Sequence, residues 1–170
     1  MKILHVLTSF EPAWAVGGSI TAHSNLCRAL HRLGHEVTVY ASNVDGLGGR
    51  LDVPTKQSVD LDGLEVWYFR QELGRVRAFY SRGLLNHLKK AASDFDVIHL
   101  AGLWQYLCVA ASAIVKKQGI PSIITPHSSL MAASFYGVGS IRTKKLYWNL
   151  AGKRAIKNAT AVHFLSEGER

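Results

Sequence analysis

A histidine placed just after a β-branched run and a proline can do chemistry, and Ile123-Ile124-Thr125-Pro126-His127-Ser128 contains one. An imidazole there can donate or accept a proton near neutral pH. It can equally end a strand by bonding a neighbouring carbonyl. A second chemical signal lies near the start, where the apolar run Lys2–Leu7 is followed by Gly17-Gly18-Ser19 and then an amphipathic stretch ending at Gly34. The first N–H groups of a helix lack internal partners and carry partial positive charge, and glycine lets a ligand approach the backbone. Gly17, Gly18 and Ser19 are therefore candidates for a phosphate contact, or else a glycine pair needed only for its conformation. The stretch Ala15-Val16-Gly17-Gly18-Ser19-Ile20 is neither a dinucleotide fingerprint nor a P-loop.

Weaker candidates complete the set. His99, Ser128 and Glu167 could meet an acceptor or a sugar. His99 lies inside an apolar run and reads equally well as a core histidine, as does His5. Glu167 could instead serve as an acid near a helix start. Acids are scarce around these positions, with Glu11 and Glu167 the main ones. No Cys/His spacing reads as a metal site, and no Ser-His-Asp triad or paired carboxylate set is visible.

The elements that must position these residues follow from hydrophobic pattern. Strand-like runs, rich in Val and Ile, occur at Ile3–Thr8, Glu36–Ala41, Leu64–Phe69, Asp96–Leu100, Ser122–Thr125 and Ala161–Leu165. They lack clean alternation, as expected of strands covered on both faces of a parallel sheet. Helical patterns at Ile20–Leu33, Tyr80–Ser93, Trp104–Lys117 and Ile141–Lys157 separate several of them, and residues 42–63 read as a loop or small hairpin. The expected class is α/β, a Rossmann-like parallel sheet with helices on both faces. Such a sheet binds ligands beyond the carboxyl ends of its strands. The ends at Thr8, His99–Gly102, Thr125–Ser129 and Leu165–Glu167 would then converge on one crevice.

The chain has 170 residues, 48% of them hydrophobic. That suits a single soluble domain. No apolar run reaches the roughly 20 residues of a membrane span, and no cleavable leader is expected. Cys27 and Cys108 read as buried free thiols, which fits a cytoplasmic protein. The net charge of +8 is uneven: Arg70, Arg75, Arg77, Arg82, Lys89 and Lys90 form one basic cluster. Arg142, Lys144, Lys145, Lys153, Arg154 and Lys157 form another. These are either solvated faces or attractors for an anionic partner. On Ile141–Lys157, Leu146 and Leu150 lie opposite the stripe of Ile141, Trp148, Ala151 and Ala155. They suit burial under a neighbouring segment, or an interfacial face at the inner surface of a membrane. A non-catalytic module docking to anionic lipid or nucleic acid is thus the alternative function. The absence of interleaved aromatics argues against nucleic acid.

Taken together, Lys2-Ile-Leu-His-Val with Gly17-Gly18, Asp96-Val-Ile-His99, Thr125-Pro126-His127 and Ala161-Val-His-Phe-Leu-Ser166-Glu167 resemble retaining glycosyltransferases of family 4, the "group 1" transferases of GT-B fold. The likeness covers essentially the whole chain, as that family's N-terminal, acceptor-side domain and so one half of a GT-B fold. It implies a nucleotide-diphospho-sugar donor whose diphosphate approaches Gly17-Gly18. It also implies that His127 contacts the transferred sugar, that the acceptor is a glycan, lipid or small molecule, and that no metal is needed. The donor-binding half would lie outside these residues, and this domain alone would be inactive. Ser128 stands where many relatives have glycine, and Ala101 where they often have a second histidine.

Overall fold

Leu4 and Val6 are fully buried on one side of the first strand, while His5 and Leu7 are buried on the other. A run sealed on both faces cannot be an exposed edge, and it lies inside a sheet. In the computed structural model, which describes residues 1–46, 49–72, 80–131, 133, 136 and 140–170, this run is β1 (Lys2–Leu7). Helix α1 (Gly18–Arg32) follows and leads to β2 (Glu36–Ser42). Gly34, at φ +86°, ends that helix where the sequence places a cap.

A short hairpin, β3 (Val44–Asp45) and β4 (Gly49–Arg50), precedes β5 (Ser58–Leu61) and β6 (Leu64–Phe69). Then come α2 (Arg82–Ala91), β7 (Val97–Ala101), α3 (Tyr106–Gln118) and β8 (Ser122–Thr125). The chain continues through α4 (Ile141–Tyr147), a π-helical turn at Trp148–Gly152, α5 (Lys153–Asn158) and β9 (Ala161–Val162). Gly152 suits that turn, since a Cβ there would sit 2.6 Å from the Trp148 ring.

Of the nine described strands β3 and β4 pair separately, and the other seven form one sheet ordered β5-β6-β2-β1-β7-β8-β9. Every pairing in it is parallel except that of β5 with β6. Leaving out β5, the parallel strands run third, second, first, fourth, fifth, sixth, the Rossmann order. The order reverses between β1 and β7, so their carboxyl ends open a crevice at that point.

Helices cover both faces. On one, Leu4, Val6, Ile98, Leu100 and Ile124 pack with Leu84 and Leu88 of α2, Leu107 and Val115 of α3, and Ala155 of α5. On the other, Val37, Val39, Val66 and Tyr68 pack with Phe10 of the loop after β1 and Cys27 of α1. Burying a side chain of this size contributes about 1.5–3 kcal/mol, so the sheet core dominates the fold.

Several boundaries differ from the sequence expectation. The edge strand β5 is not in the expected set. Asp62 (φ +55°) and Gly63 (φ +85°) turn it into β6, the left-handed pair that a two-residue hairpin loop requires. The last strand stops at Val162, three residues before Leu165, because β8 offers no partner beyond the pairing of Ile124 with Val162. Helix α3 begins at Tyr106, since Trp104 and Gln105 belong to the loop that shapes the crevice.

Candidate functional site

The crevice at the switch point has a volume of about 180 Å³. Its walls come from the ends of β1 (Thr8, Ser9) and β7 (Gly102–Gln105), from Ser19 and His23 of α1, and from His127. Four segments far apart in sequence meet here because parallel strands carry their carboxyl ends to one edge. Thr8 Oγ1 donates to Gln105 Oε1 at 2.5 Å, tying the β1 end to the loop after β7. Gly102 makes that loop possible: φ is +93°, and a Cβ would meet Gln105 Oε1 at 2.8 Å.

Gly17, Gly18 and Ser19 are exposed at the crevice rim, with Ser19 among its walls. Gly17 is the N-cap of α1 at φ +97°, ψ −157°, a region essentially reserved for glycine. Gly18 opens the helix, no side chain caps it, and a Cβ at either glycine would meet nothing within 4 Å. The open helix start therefore presents backbone N–H groups and bare space together.

Glu11, the crevice-side acid read from the sequence, is consumed in holding this loop. Arg28 of α1 grips it with two bonds, Nη1 to Oε1 at 2.5 Å and Nη2 to Oε2 at 3.0 Å. Ser24 also donates to the Glu11 carboxylate, and Tyr68 donates to the Glu11 carbonyl. A carboxylate so bound is an anchor for the β1–α1 loop.

His127 is half-buried and lines the crevice. It and Ser128 occupy the left-handed region, at φ +54° and +59°. Ser128 thus takes a conformation that favours glycine, and it is exposed. Burial pulls His127 below the ordinary histidine range, opposed by the charge of Glu169.

Near His127 the structure places Glu169, an acid the sequence reading passed over in favour of Glu167. Glu167 is exposed, whereas Glu169 is 3% exposed. The Leu165 N–H donates to Glu169 Oε2 at 3.3 Å, and Oε1 is buried with no partner among the described residues. Because β9 ends early, the following turn brings the later acid toward His127. The signal for this in the sequence was only the repeat Glu167-Gly168-Glu169.

His99 is buried in a line of polar groups. It pairs with His5 across the β1–β7 register, Nδ1 to Nδ1 at 3.1 Å. Its Nε2 lies 2.7 Å from Thr125 Oγ1, which lies 3.2 Å from His163 Nδ1. His5 Nε2 is buried without a partner among the described residues. Orphaned buried N–H groups are rarer than orphaned acceptors, so the proton of His5 belongs on Nδ1. The remaining bonds then take one direction. His5 donates to His99, His99 Nε2–H donates to Thr125, and the Thr125 hydroxyl donates to His163. Burial pulls both His5 and His99 down to about 3, so both are neutral at pH 7.

His23, on the buried stripe of α1, was not singled out from the sequence. The sequence signal that could have found it is its helical spacing from Ile20 and Cys27. Its Nε2 lies 2.5 Å from His127 Nε2. One ring nitrogen from each of the buried His5, His23 and His99 lies within 4.8 Å of the others, a set of imidazoles of the kind that can ligate zinc.

Of the basic clusters, Arg75 and Arg77 lie outside the described residues. Arg70, Arg82, Lys89 and Lys90 are exposed, and in the second cluster Lys144 is buried while the rest are exposed. Leu146 and Leu150 are 59% and 62% exposed. Cys27 and Cys108 are free and buried, as expected. No described helix is long and apolar enough to cross a membrane.

Comparison with known proteins gives the following. The family model for the glycosyl transferase 4-like domain matches residues 17–170. No curated protein matches. Among solved structures, sucrose-phosphate synthase from Thermosynechococcus elongatus aligns with a TM-score of 0.56 at 14% identity, over 95% of this chain and 41% of that one. UDP-GlcNAc 2-epimerase from Methanocaldococcus jannaschii aligns with a TM-score of 0.56 at 14% identity, over 99% of this chain and 40% of that one. An E. coli trehalose-6-phosphate structure bound with UDP-2-fluoro glucose aligns at 0.52 and 13% identity, over 100% and 41%. The chain thus spans about two fifths of the length of these structures. At such identities the likeness concerns the fold, and it extends to an epimerase as well.

Proposed function

The chain belongs to the glycosyl transferase 4-like family, and we propose that it is the acceptor-side half of a retaining glycosyltransferase that uses a nucleotide-diphospho-sugar. One observation carries this reading. The crevice at the strand-order switch has an uncapped helix start, Gly17–Ser19, on one rim and His127 on another wall. A diphosphate would meet the N–H groups and the positive end of α1. The attached sugar would then reach His127. At about 180 Å³ the crevice is smaller than the roughly 300–1,000 Å³ of a complete small-molecule site. It fits part of a donor, with a second half holding the nucleotide.

In this scheme the leaving diphosphate is stabilised by the α1 dipole and backbone donors, and no metal is required of this half. His127, neutral because it is buried, contacts the transferred sugar. His99 is buried outside the crevice lining and bonds Thr125, next to the lining residue Pro126. Ser128 and Glu167, exposed and also outside that lining, are the proposed contacts of a glycan, lipid or small-molecule acceptor. The test is to incubate the full-length enzyme with a panel of nucleotide-diphospho-sugars and measure nucleoside diphosphate release with and without acceptor. Acceptor-dependent release from one donor supports the reading. No release from any donor, together with no donor binding by calorimetry, contradicts it.

A second reading rests on Leu146 and Leu150. Both stand exposed among Arg142, Lys145, Lys153, Arg154 and Lys157, a composition suited to an anionic lipid surface. Nucleic acid is not the expected partner. Flotation with anionic but not neutral vesicles supports this reading, and equal recovery with both removes it.

A further inference from the structure

The reading above leaves open which proton His127 offers to its ligand, and the contact with His23 answers it. His23 is 4% exposed, on the buried face of α1, with its ring 5.7 Å from that of His99 in β7. The two imidazoles meet edge to face, with ring centroids 4.5 Å apart and Nε2 to Nε2 at 2.5 Å. Two bare nitrogens would repel at that distance, and two N–H groups would collide, so one ring donates and the other accepts.

The direction follows from the far side of His23. Its Nδ1 is buried and has no partner among the described residues. A proton on Nδ1 would make it an orphaned donor in the core, the costlier alternative. The proton therefore sits on His23 Nε2 and is donated to His127 Nε2. A neutral His127 whose Nε2 accepts must carry its own proton on Nδ1, the nitrogen that His23 does not engage.

We propose that His23 is a positioning residue that locks His127 in the Nδ1–H tautomer, so that His127 serves its ligand as a neutral hydrogen-bond donor and not as a base. This rests on the assignment of His127 to the sugar-binding crevice. The ligand group it suits is an acceptor oxygen, a sugar hydroxyl or a phosphate oxygen, on the donor substrate. A neutral donor of this kind polarises an oxygen without needing to lose its proton. Burial and the neighbouring imidazoles hold His23 far below the ordinary range, at about 3. The pair therefore stays uncharged across physiological pH.

The test is long-range proton–nitrogen NMR on the ¹⁵N-histidine-labelled chain, with the variants His23→Gln and His23→Leu. Wild type is expected to show a protonated Nδ1 and a bare Nε2 on His127. His23→Gln, whose amide N–H still donates, should keep that pattern, and His23→Leu should lose it. In the full-length enzyme kcat should fall roughly tenfold to a hundredfold in His23→Leu and recover in His23→Gln, with KM little changed. A bare Nδ1 in wild type overturns the proposal. So does an unchanged tautomer in His23→Leu, or equal loss of kcat in both variants. If the leucine variant does not fold, wild type and the glutamine variant still decide. The functional assignment fails separately: full turnover in His127→Ala would remove His127 from the reaction and leave its tautomer as measured.

Discussion

His5 and His99 lie directly across from one another in the parallel register of β1 and β7, their Nδ1 atoms 3.1 Å apart beneath α1. Together with His23 of α1 they form a cluster of three buried imidazoles close to the proposed sugar contact. Each is neutral because burial disfavours its charged form. That has consequences for pH as well as for binding.

Acid should unfold this domain early. His5, His23 and His99 are all drawn down to about 3, chiefly by burial. In the unfolded chain they protonate near about 6.5. Above that pH neither state is charged and they contribute no pH dependence. As pH falls below it, the unfolded state takes up protons that the folded state cannot, so stability is lost. Each histidine contributes about 1.4 kcal/mol per pH unit in this window. His127, also lowered by burial, adds to this loss in the same direction. Urea unfolding measured from pH 7 to pH 4.5 should show steep loss of stability, shallower in His99→Gln. A flat profile would contradict the neutral cluster.

The two glycines of the helix start should separate under mutation. Gly17→Ala places a side chain in a backbone region reserved for glycine, at a cost of about 1–3 kcal/mol. Gly18→Ala meets no neighbour and should leave stability unchanged or raise it by up to about 1 kcal/mol. In the full-length enzyme the same Gly18→Ala should weaken donor diphosphate binding, because the methyl fills the space a phosphate would enter. Unchanged donor affinity by calorimetry would mean that the pair serves conformation alone.

Arg28→Ala tests the anchor of the β1–α1 loop. It removes two bonds to Glu11 and one to Asp62, at 2.9 Å. Bonds to charged groups contribute about 1.5–3 kcal/mol. The partial exposure of Arg28, 26% of its side chain, places the loss near the lower end. Stability within about 0.5 kcal/mol of wild type in urea unfolding would show that the loop holds without it.

How much of this was legible in the sequence depends on distance along the chain. The strands at Lys2–Leu7 and Glu36–Ser42 were visible because strands sealed on both faces read as apolar runs, and Leu64–Phe69 because its apolar residues outweigh the exposed Glu65. Gly34 was visible as a cap because capping is local. The early end of β9 was not, because Phe164 and Leu165 continue the apolar pattern where the partner strand stops. The β5 edge was hidden by its mixed composition, Ser58-Val59-Asp60-Leu61, although Asp62-Gly63 is a hairpin signal. His127 was legible from its place after a strand and a proline. Its partner His23 was not, since the two are 104 residues apart and meet only when β8 and α1 come to the same edge. Glu169 was overshadowed by Glu167 for the same reason that β9 ran too long.

The central claim is that His127 meets the transferred sugar in a glycosyl-transfer reaction, and one measurement tests it most directly. Steady-state turnover of the full-length enzyme with its nucleotide-diphospho-sugar should be compared with that of His127→Ala, with folding of the variant confirmed by urea unfolding. A fall in kcat on the order of a hundredfold is expected in a folded variant. Near wild-type turnover would contradict it.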